Sequence, residues 1–343
     1  CHKNVIKVWQ NSHNEFLGIL TLFKGLNMKH TYNKIAVALL SSLSLSAFAA
    51  NVDIYGKANL SLQSSDFGEG SFTEITSNAS RIGFKGAHDL DDGLTVIFKA
   101  EFEVDLDGDG QKGYGTKEKS VDTFEARNQY IGLAGSFGEV LLGKNDTMLK
   151  QSQGKVDLFN DLNGDIKSLW KGENRMADTV SYKSPKFNDF QVGVTYIAED
   201  SVDAEDGVSV AVFYGDAKLK KSKMFASIAV DSEVNGYDVT RATVQGKVSG
   251  IVLGAMVQTQ EKIDGSAEMN GFMVSASYKM DKVTFKGQYQ AADFKDGDDK
   301  SGMTVGADYA LAKSTKLYTF YTSFDMDSAE DQDYLAAGIE YKF

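Results

Sequence analysis

The chain of 343 residues is short of several residue types, and each shortage removes a class of explanation. Its one cysteine, Cys1, leaves no disulfide framework, zinc site or thiol nucleophile for the body of the protein. Histidine is nearly as scarce, and of His2, His13, His30 and His88 only the last lies beyond the first fifty residues. Apolar runs are missing too: outside the N-terminal segment none approaches the length of a spanning helix. One proline stands against 33 glycines, and two tryptophans against 21 phenylalanines and 15 tyrosines. That balance suits many paired strands joined by tight turns. The mean hydropathy of −0.28 cannot separate a soluble all-β protein from a membrane barrel, because alternating strands average to a polar score.

The N-terminus reads as an address. Met28 to Lys34 is a basic opening, and Ile35 to Ala50 is an apolar run ending in Ser-Ala-Phe-Ala-Ala. Ala47 and Ala49 form an A-x-A cleavage signal, so residues 28–49 are expected to be a signal peptide, with the mature chain beginning near Ala50. Residues 1–27 look like a non-native upstream extension. Removing residues 1–50 takes away five lysines and one glutamate and leaves 31 basic and 47 acidic side chains, a formal charge of −16. Such a charge argues against nucleic acid as a partner and hints at a preference for cations.

What is present is alternation. In Val52–Leu62, Val52, Ile54, Ala58, Leu60 and Leu62 share one face, while Asp53, Lys57, Asn59 and Ser61 share the other. Leu94, Val96, Phe98, Ala100, Phe102 and Val104 form an apolar face against Lys99, Glu101, Glu103 and Asp105. The pattern recurs in about sixteen runs, more than one soluble sandwich holds, and continues to Leu335, Ala337, Ile339, Tyr341 and Phe343. Short turns such as Asn188-Asp189, Ser249-Gly250 and Asp281-Lys282 alternate with longer polar connections. Tyrosines such as Tyr182, Tyr278 and Tyr341 fall at strand ends, where interface girdles belong. The expected fold is all-β: one domain over residues 50–343, a transmembrane antiparallel barrel of about sixteen strands. The run Val239–Lys247 is less regular, with Arg241 awkwardly placed.

Alternation stops from Asn145 to Asn174, far beyond a hairpin loop. Asp157, Asp161 and Asp165 lie there among Leu158, Phe159, Leu162 and Trp170. Large apolar residues mark a loop that packs against something, and the expectation is that it folds into the barrel and narrows it. Asp105-Leu-Asp-Gly-Asp-Gly110 opens like a calcium loop, but Thr116 stands where a bidentate glutamate is needed, so an acidic loop is expected. No metal or cofactor is expected. Two other classes compete, a barrel enzyme and a soluble all-β binding module. The first lacks a suited histidine, since His88 sits beside the Asp89–Asp92 turn.

The motifs VDIYGKANLSL, SRIGFKGAHDLDDGLTVIFKAEFE, EARNQYIGLAGSFGEVLLGK, NRMADTVSYKSP and the final YKF, in that order behind a signal peptide, resemble the Gram-negative general porins. The match runs from about Asn51 to Phe343. The resemblance implies a sixteen-stranded outer-membrane barrel, usually a homotrimer, passing ions and small hydrophilic solutes passively through a water-filled channel. It implies outer-membrane lipid, lipopolysaccharide and the barrel assembly machinery as partners, Phe343 belonging to the signal that this machinery reads. It also implies a third loop folded inward, its acids facing a basic wall. Lys57, Arg81 and Arg175 fall on the wall positions, with Lys85 and Glu101 facing the lumen. Arg127 is counted with the wall, although alternation sets Ile131 and Leu133 on its own face. The loop lacks a PEFGG-type turn, which leaves open which of Asp157, Asp161 and Asp165 reaches the pore.

Overall fold

The computed structural model describes residues 51–108, 123–199, 205–327 and 329–343. The expected upstream extension, signal segment and cleavage point lie outside the described residues, as do Gly110 and Thr116 of the calcium-like stretch. The strands, in chain order, are β1 (Asn51–Asp66), β2 (Ser71–Ser77), β3 (Arg81–Asp89), β4 (Thr95–Val104), β5 (Phe124–Gly135) and β6 (Gly138–Asp146). After the loop come β7 (Arg175–Lys183), β8 (Phe190–Ile197), β9 (Gly207–Gly215), β10 (Met224–Val234), β11 (Tyr237–Val248) and β12 (Ile251–Lys262). The last five are β13 (Glu268–Met280), β14 (Val283–Phe294), β15 (Lys300–Ala310), β16 (Thr315–Asp325) and β17 (Gln332–Lys342).

Apart from β2 and β3, each strand pairs antiparallel with its sequence neighbour, and β17 returns to β1 in the register Lys57↔Lys342 through Asp66↔Asp333. β2 and β3 both pair with β1 and are two halves of one barrel strand, so the closed sheet has sixteen strand positions. Their break at 78–80 has a local cause. The Asn78 amide turns inward to donate to Ser61 Oγ at 2.8 Å and Tyr318 Oη at 3.1 Å, and Ala79 takes φ 48°. Backbone bonds from Gly56 N to Phe343 O (3.0 Å) and back carry the closing ladder to Phe343, whose ring stacks on Tyr341.

The pleat sorts side chains in the sense opposite to a soluble protein. Ile54, Ile131, Ile228 and Leu335 are between 57% and 64% exposed, while Asn59, Ser61, Thr195, Ser209 and Thr322 are at most 3% exposed. The exterior is therefore an apolar band and the interior is polar, as lipid outside and water inside require. Ser249-Gly250 and Asp281-Lys282 are two-residue turns between β11 and β12 and between β13 and β14. Asn188 and Asp189, both with positive φ, close the turn into β8. The paired strand ends Val104 and Phe124 lie at the opposite end, from which loop 147–174 also leaves; it is called here the loop end.

Two bulges decide what the interior presents. Across β4 and β5 the register jumps from Ala100↔Gln129 to Phe102↔Ala126, so Arg127 and Asn128 together oppose Glu101. The extra residue resets the phase of the pleat. Arg127 is buried inward while Ile131 and Leu133 face out, which strict alternation does not allow. A second jump, from Gly143↔Thr179 to Asn145↔Met176, precedes Arg175, with Asp178 at φ 53°.

The apolar core lies between the loop and the inner wall. Val156, Phe159, Ile166, Leu169 and Trp170 of the loop pack on Met256, Met269, Met273, Ala292, Tyr318 and Phe320. At the loop's start a short helix α1 (Met148–Ser152), capped by Thr147, sets Met148 and Leu149 against Ala211, Phe213, Phe225 and Val239. The wall makes room with glycine. A Cβ on Gly254 would sit 2.8 Å from Val156, on Gly306 3.0 Å from Phe159, and on Gly271 2.6 Å from the Trp170 indole. Trp170 completes its seat by donating from Nε1 to Ala291 O at 2.9 Å. Gly271→Ala is therefore expected to push the ring off the wall. Emission of Trp170, the only tryptophan among the described residues, should shift to the red and become quenchable by iodide; an unchanged spectrum would disprove the seat.

Candidate functional site

Loop 147–174 leans on the inner wall of β9 through β16, so the open part of the lumen lies between the loop and the side formed by β3 through β7. The loop's shape is set by its own acids. Asp157 accepts from Phe159 N (3.0 Å) and Ile166 N (3.1 Å), pinning the two limbs together. Asp165 caps the turn Ile166–Ser168, accepting from Lys167 N (2.9 Å) and from Asp161 N (3.0 Å). Asp161, at φ 69°, is thereby turned outward to the wall. Its carboxylate receives Lys57 Nζ at 2.7 Å and the Arg81 guanidinium.

Of the three loop acids, then, Asp161 meets the basic wall, while Asp157 and Asp165 are buried in shaping the loop. Burial pushes the Asp161 carboxyl up, but Arg81 and Lys57 outweigh it and hold the group well below the usual carboxylate range. A depressed folded value means that the pairing is fully present above the ordinary carboxylate pKa and is lost only as pH falls through the lower one. Asp157 lies the other way: burial, with Asp165 beside it, drives it well up.

The wall continues as a chain of alternating charge. Arg127 Nε reaches Glu101 at 3.0 Å and its Nη1 reaches Glu103 at 2.5 Å. Glu101 also holds Lys99 at 3.3 Å and the Tyr55 hydroxyl at 2.8 Å. Arg175 Nε meets Asp146 at 2.9 Å and Asn128 Oδ1 at 2.6 Å. Lys57 and Glu101 lie beneath this surface, at 8% and 4% exposure. Lys85 stands apart, half-exposed and 3.9 Å from Asp53 towards the turn end.

Of these residues Arg81, Glu103, Arg127, Asp146, Asp161 and Arg175 border a water-accessible space of about 710 Å³. Its lining carries eight basic side chains and seven acidic ones, so the passage is close to charge balance although the chain is strongly acidic. Interleaved fixed charges of both signs give a field across the passage that orients dipolar solutes and penalises apolar ones.

Sequence reasoning missed what holds the loop down. Arg241, fully buried on β11, donates to Gln258 Oε1 (2.8 Å), Glu173 Oε1 (2.7 Å) and the carbonyls of Leu149 and Lys171 (3.4 Å each). One guanidinium thus ties both ends of the loop to the wall. Burial raises the Glu173 carboxyl, and Arg241 opposes that rise without cancelling it. Gln288 adds a clamp at the loop's centre, accepting from Leu158 N (2.8 Å) and donating to Gly164 O (2.9 Å). The only signal in the sequence was an arginine out of place in a strand.

A closed barrel with an apolar exterior and a charged lumen, narrowed by a loop laid along its wall, defines an outer-membrane diffusion channel. The chain belongs to the Gram-negative porin family, whose model matches residues 36–329. It is 27% identical over 322 residues to major outer membrane protein P.IB of Neisseria meningitidis serogroup B (strain MC58), covering 82% of this chain and 90% of that one. It is 26% identical over 349 residues to a monosaccharide porin of Halomonas sp, covering 85% and 92%. Among solved structures, the anion-selective porin from Comamonas acidovorans superposes with a TM-score of 0.67 at 20% identity, over 86% of this chain and 100% of that one. The protein is an outer-membrane porin, and solutes cross it passively through a water-filled channel. A soluble binding module is set aside by the family and by the apolar exterior.

Proposed function

We propose that solutes are selected in the gap between loop 147–174 and the wall of β3 through β7, chiefly by size and by transverse charge. The basic side is Lys57, Arg81, Arg127 and Arg175, with Lys85 adding charge from the turn end; the acidic side is Asp161, supported from within the loop by Asp157 and Asp165, while Glu101 is the acid of the wall itself, beneath Arg127. The observation that carries this reading is the Asp161 carboxylate held between Lys57 and Arg81, which fixes the loop's charged tip at the wall. Ions and small hydrophilic molecules, monosaccharides among them, are the solutes that such a lining suits. With Asp161 already neutralised by two cations and the lining nearly balanced, the −16 charge carried by residues 51–343 does not translate into cation preference. The working form is a homotrimer in outer-membrane lipid and lipopolysaccharide, inserted by the barrel assembly machinery with Phe343 in its recognition signal. The protein has no catalytic role: transport needs only the fixed lining.

Planar-bilayer recording of the purified protein tests this directly. Conductance is expected to appear in stepwise triplets, and the reversal potential in asymmetric salt should lie near zero or on the anion side. Single rather than triple steps would remove the trimer, and a strong cation reversal would remove the assigned lining.

A further inference from the structure

The acidic charge of the chain is not spread evenly along the barrel axis. Apart from the inward loop, the described residues of the loop-end connections carry 13 acids and one base, Lys295. The connections at the turn end carry seven lysines and five acids. The inward loop itself holds four lysines and four acids and contributes no net charge at the waist.

Strand-borne Lys279, Lys316 and Lys342 add to the turn lysines Lys282 and Lys313 already counted. A space of about 250 Å³ at the turn end is lined by Lys279, Lys282, Lys313, Lys316 and Lys342 against Asp308 and Glu340. Both acids are engaged. Asp308 is held by Lys286 and Lys316 at 3.0 Å each, and Glu340 by Lys342 at 2.8 Å. Lys279, Lys282 and Lys313 have no carboxylate partner among the described residues. The turn-end floor is therefore electropositive, the loop-end rim electronegative, and the waist between them near neutral.

We propose that this axial separation of charge makes the pore a rectifier, conducting better when the loop side is positive. The inference rests on the channel reading above. An acidic mouth concentrates cations and a basic mouth concentrates anions, because low-dielectric walls focus the field of fixed charges. With the loop side positive, cations enter from the mouth that has gathered them and anions from theirs, so carriers accumulate at the waist. With the sign reversed, each ion must enter through the mouth depleted of it, and the waist empties. The effect requires that fixed charge reach across the lumen. Fixed charge does so at about 0.01 M salt, where the Debye length is about 30 Å, and fails to at about 1 M, where it is about 3 Å.

The test is the current–voltage curve of pores of known orientation. Ala329→Cys, in the connection 326–331, can carry biotin, and streptavidin added to one chamber then reports which side the loops face. The current ratio at equal and opposite voltages should reach about twofold or more at about 0.01 M salt and fall towards unity at about 1 M. Neutralising the exposed turn lysines Lys218, Lys220, Lys221 and Lys223 to glutamine should bring the low-salt ratio down, and Lys279→Gln with Lys313→Gln should bring it down independently. The salt series on the unmodified protein stands even if a variant fails to assemble. A ratio of unity at every salt, the opposite polarity, or a ratio indifferent to both lysine sets would overturn the proposal while leaving a conducting pore. A bilayer that stays silent at both polarities would overturn the channel itself, and the rectifier with it.

Discussion

Arg241→Ala is expected to unseat loop 147–174 while leaving the barrel closed. The guanidinium is fully buried and holds Glu173 together with two loop carbonyls, so its loss strands a buried acid and frees both ends of the loop at once. Removing one partner of a buried pair costs about 3–5 kcal/mol. Here the cost falls on the docked loop, because the barrel ladder around β11 is made by backbone groups that the substitution does not touch. A loss of that size changes the docked-to-undocked ratio by two orders of magnitude or more, since about 1.4 kcal/mol is a factor of ten. Single-channel conductance should rise and become noisy, and Trp170 should become accessible to quenchers. Heat-modifiable migration in detergent should persist as the sign of an intact barrel. Unchanged conductance with an unchanged Trp170 spectrum would mean that the apolar seat alone holds the loop.

The second large effect is on ion selectivity, and two substitutions should move it in opposite directions. Asp161→Asn leaves Lys57 and Arg81 without their shared carboxylate, adding uncompensated positive charge where the loop meets the wall. The reversal potential in asymmetric salt is expected to move towards anions. Arg81→Gln with Arg175→Gln does the reverse: the cations left in ion pairs are Lys57 for Asp161 and Lys150, at 3.5 Å, for Asp146. That double variant should move towards cations. Both shifts should shrink as salt rises, because the charges act across a wet gap. Movement of the two in the same direction, or of neither, would take these residues out of the selectivity-determining region.

Much of this was legible before the structure. Period-two alternation gave the strands and their facing, because in a barrel each residue meets either lipid or lumen and composition follows. The loop was visible as a failure of that period. Less legible was anything that depends on a local change of phase. Arg127 reads as lipid-facing by counting, and only the two-residue bulge against Glu101 turns it inward. Asp157, Asp161 and Asp165 are spaced alike and look equivalent; the left-handed backbone at Asp161 and the turn capped by Asp165 separate them. Arg241 stands out of place in its strand, but a buried cation makes sense only once Glu173 is brought to it from 68 residues away. The seats at Gly254, Gly271 and Gly306 leave no mark in sequence beyond a high glycine count.

The seam between β1 and β17 bears on how such a chain reaches its final state. Positions as far apart as Lys57 and Lys342 must meet before the sheet has no free margin. Until then both outer strands offer unsatisfied peptide groups, and half of every strand offers grease, to whatever is nearby. Pairing over such a span is slow to find, because so much chain entropy is lost before the contact gives anything back. A version lacking either terminal strand is expected to accumulate as insoluble aggregate rather than as a smaller cylinder.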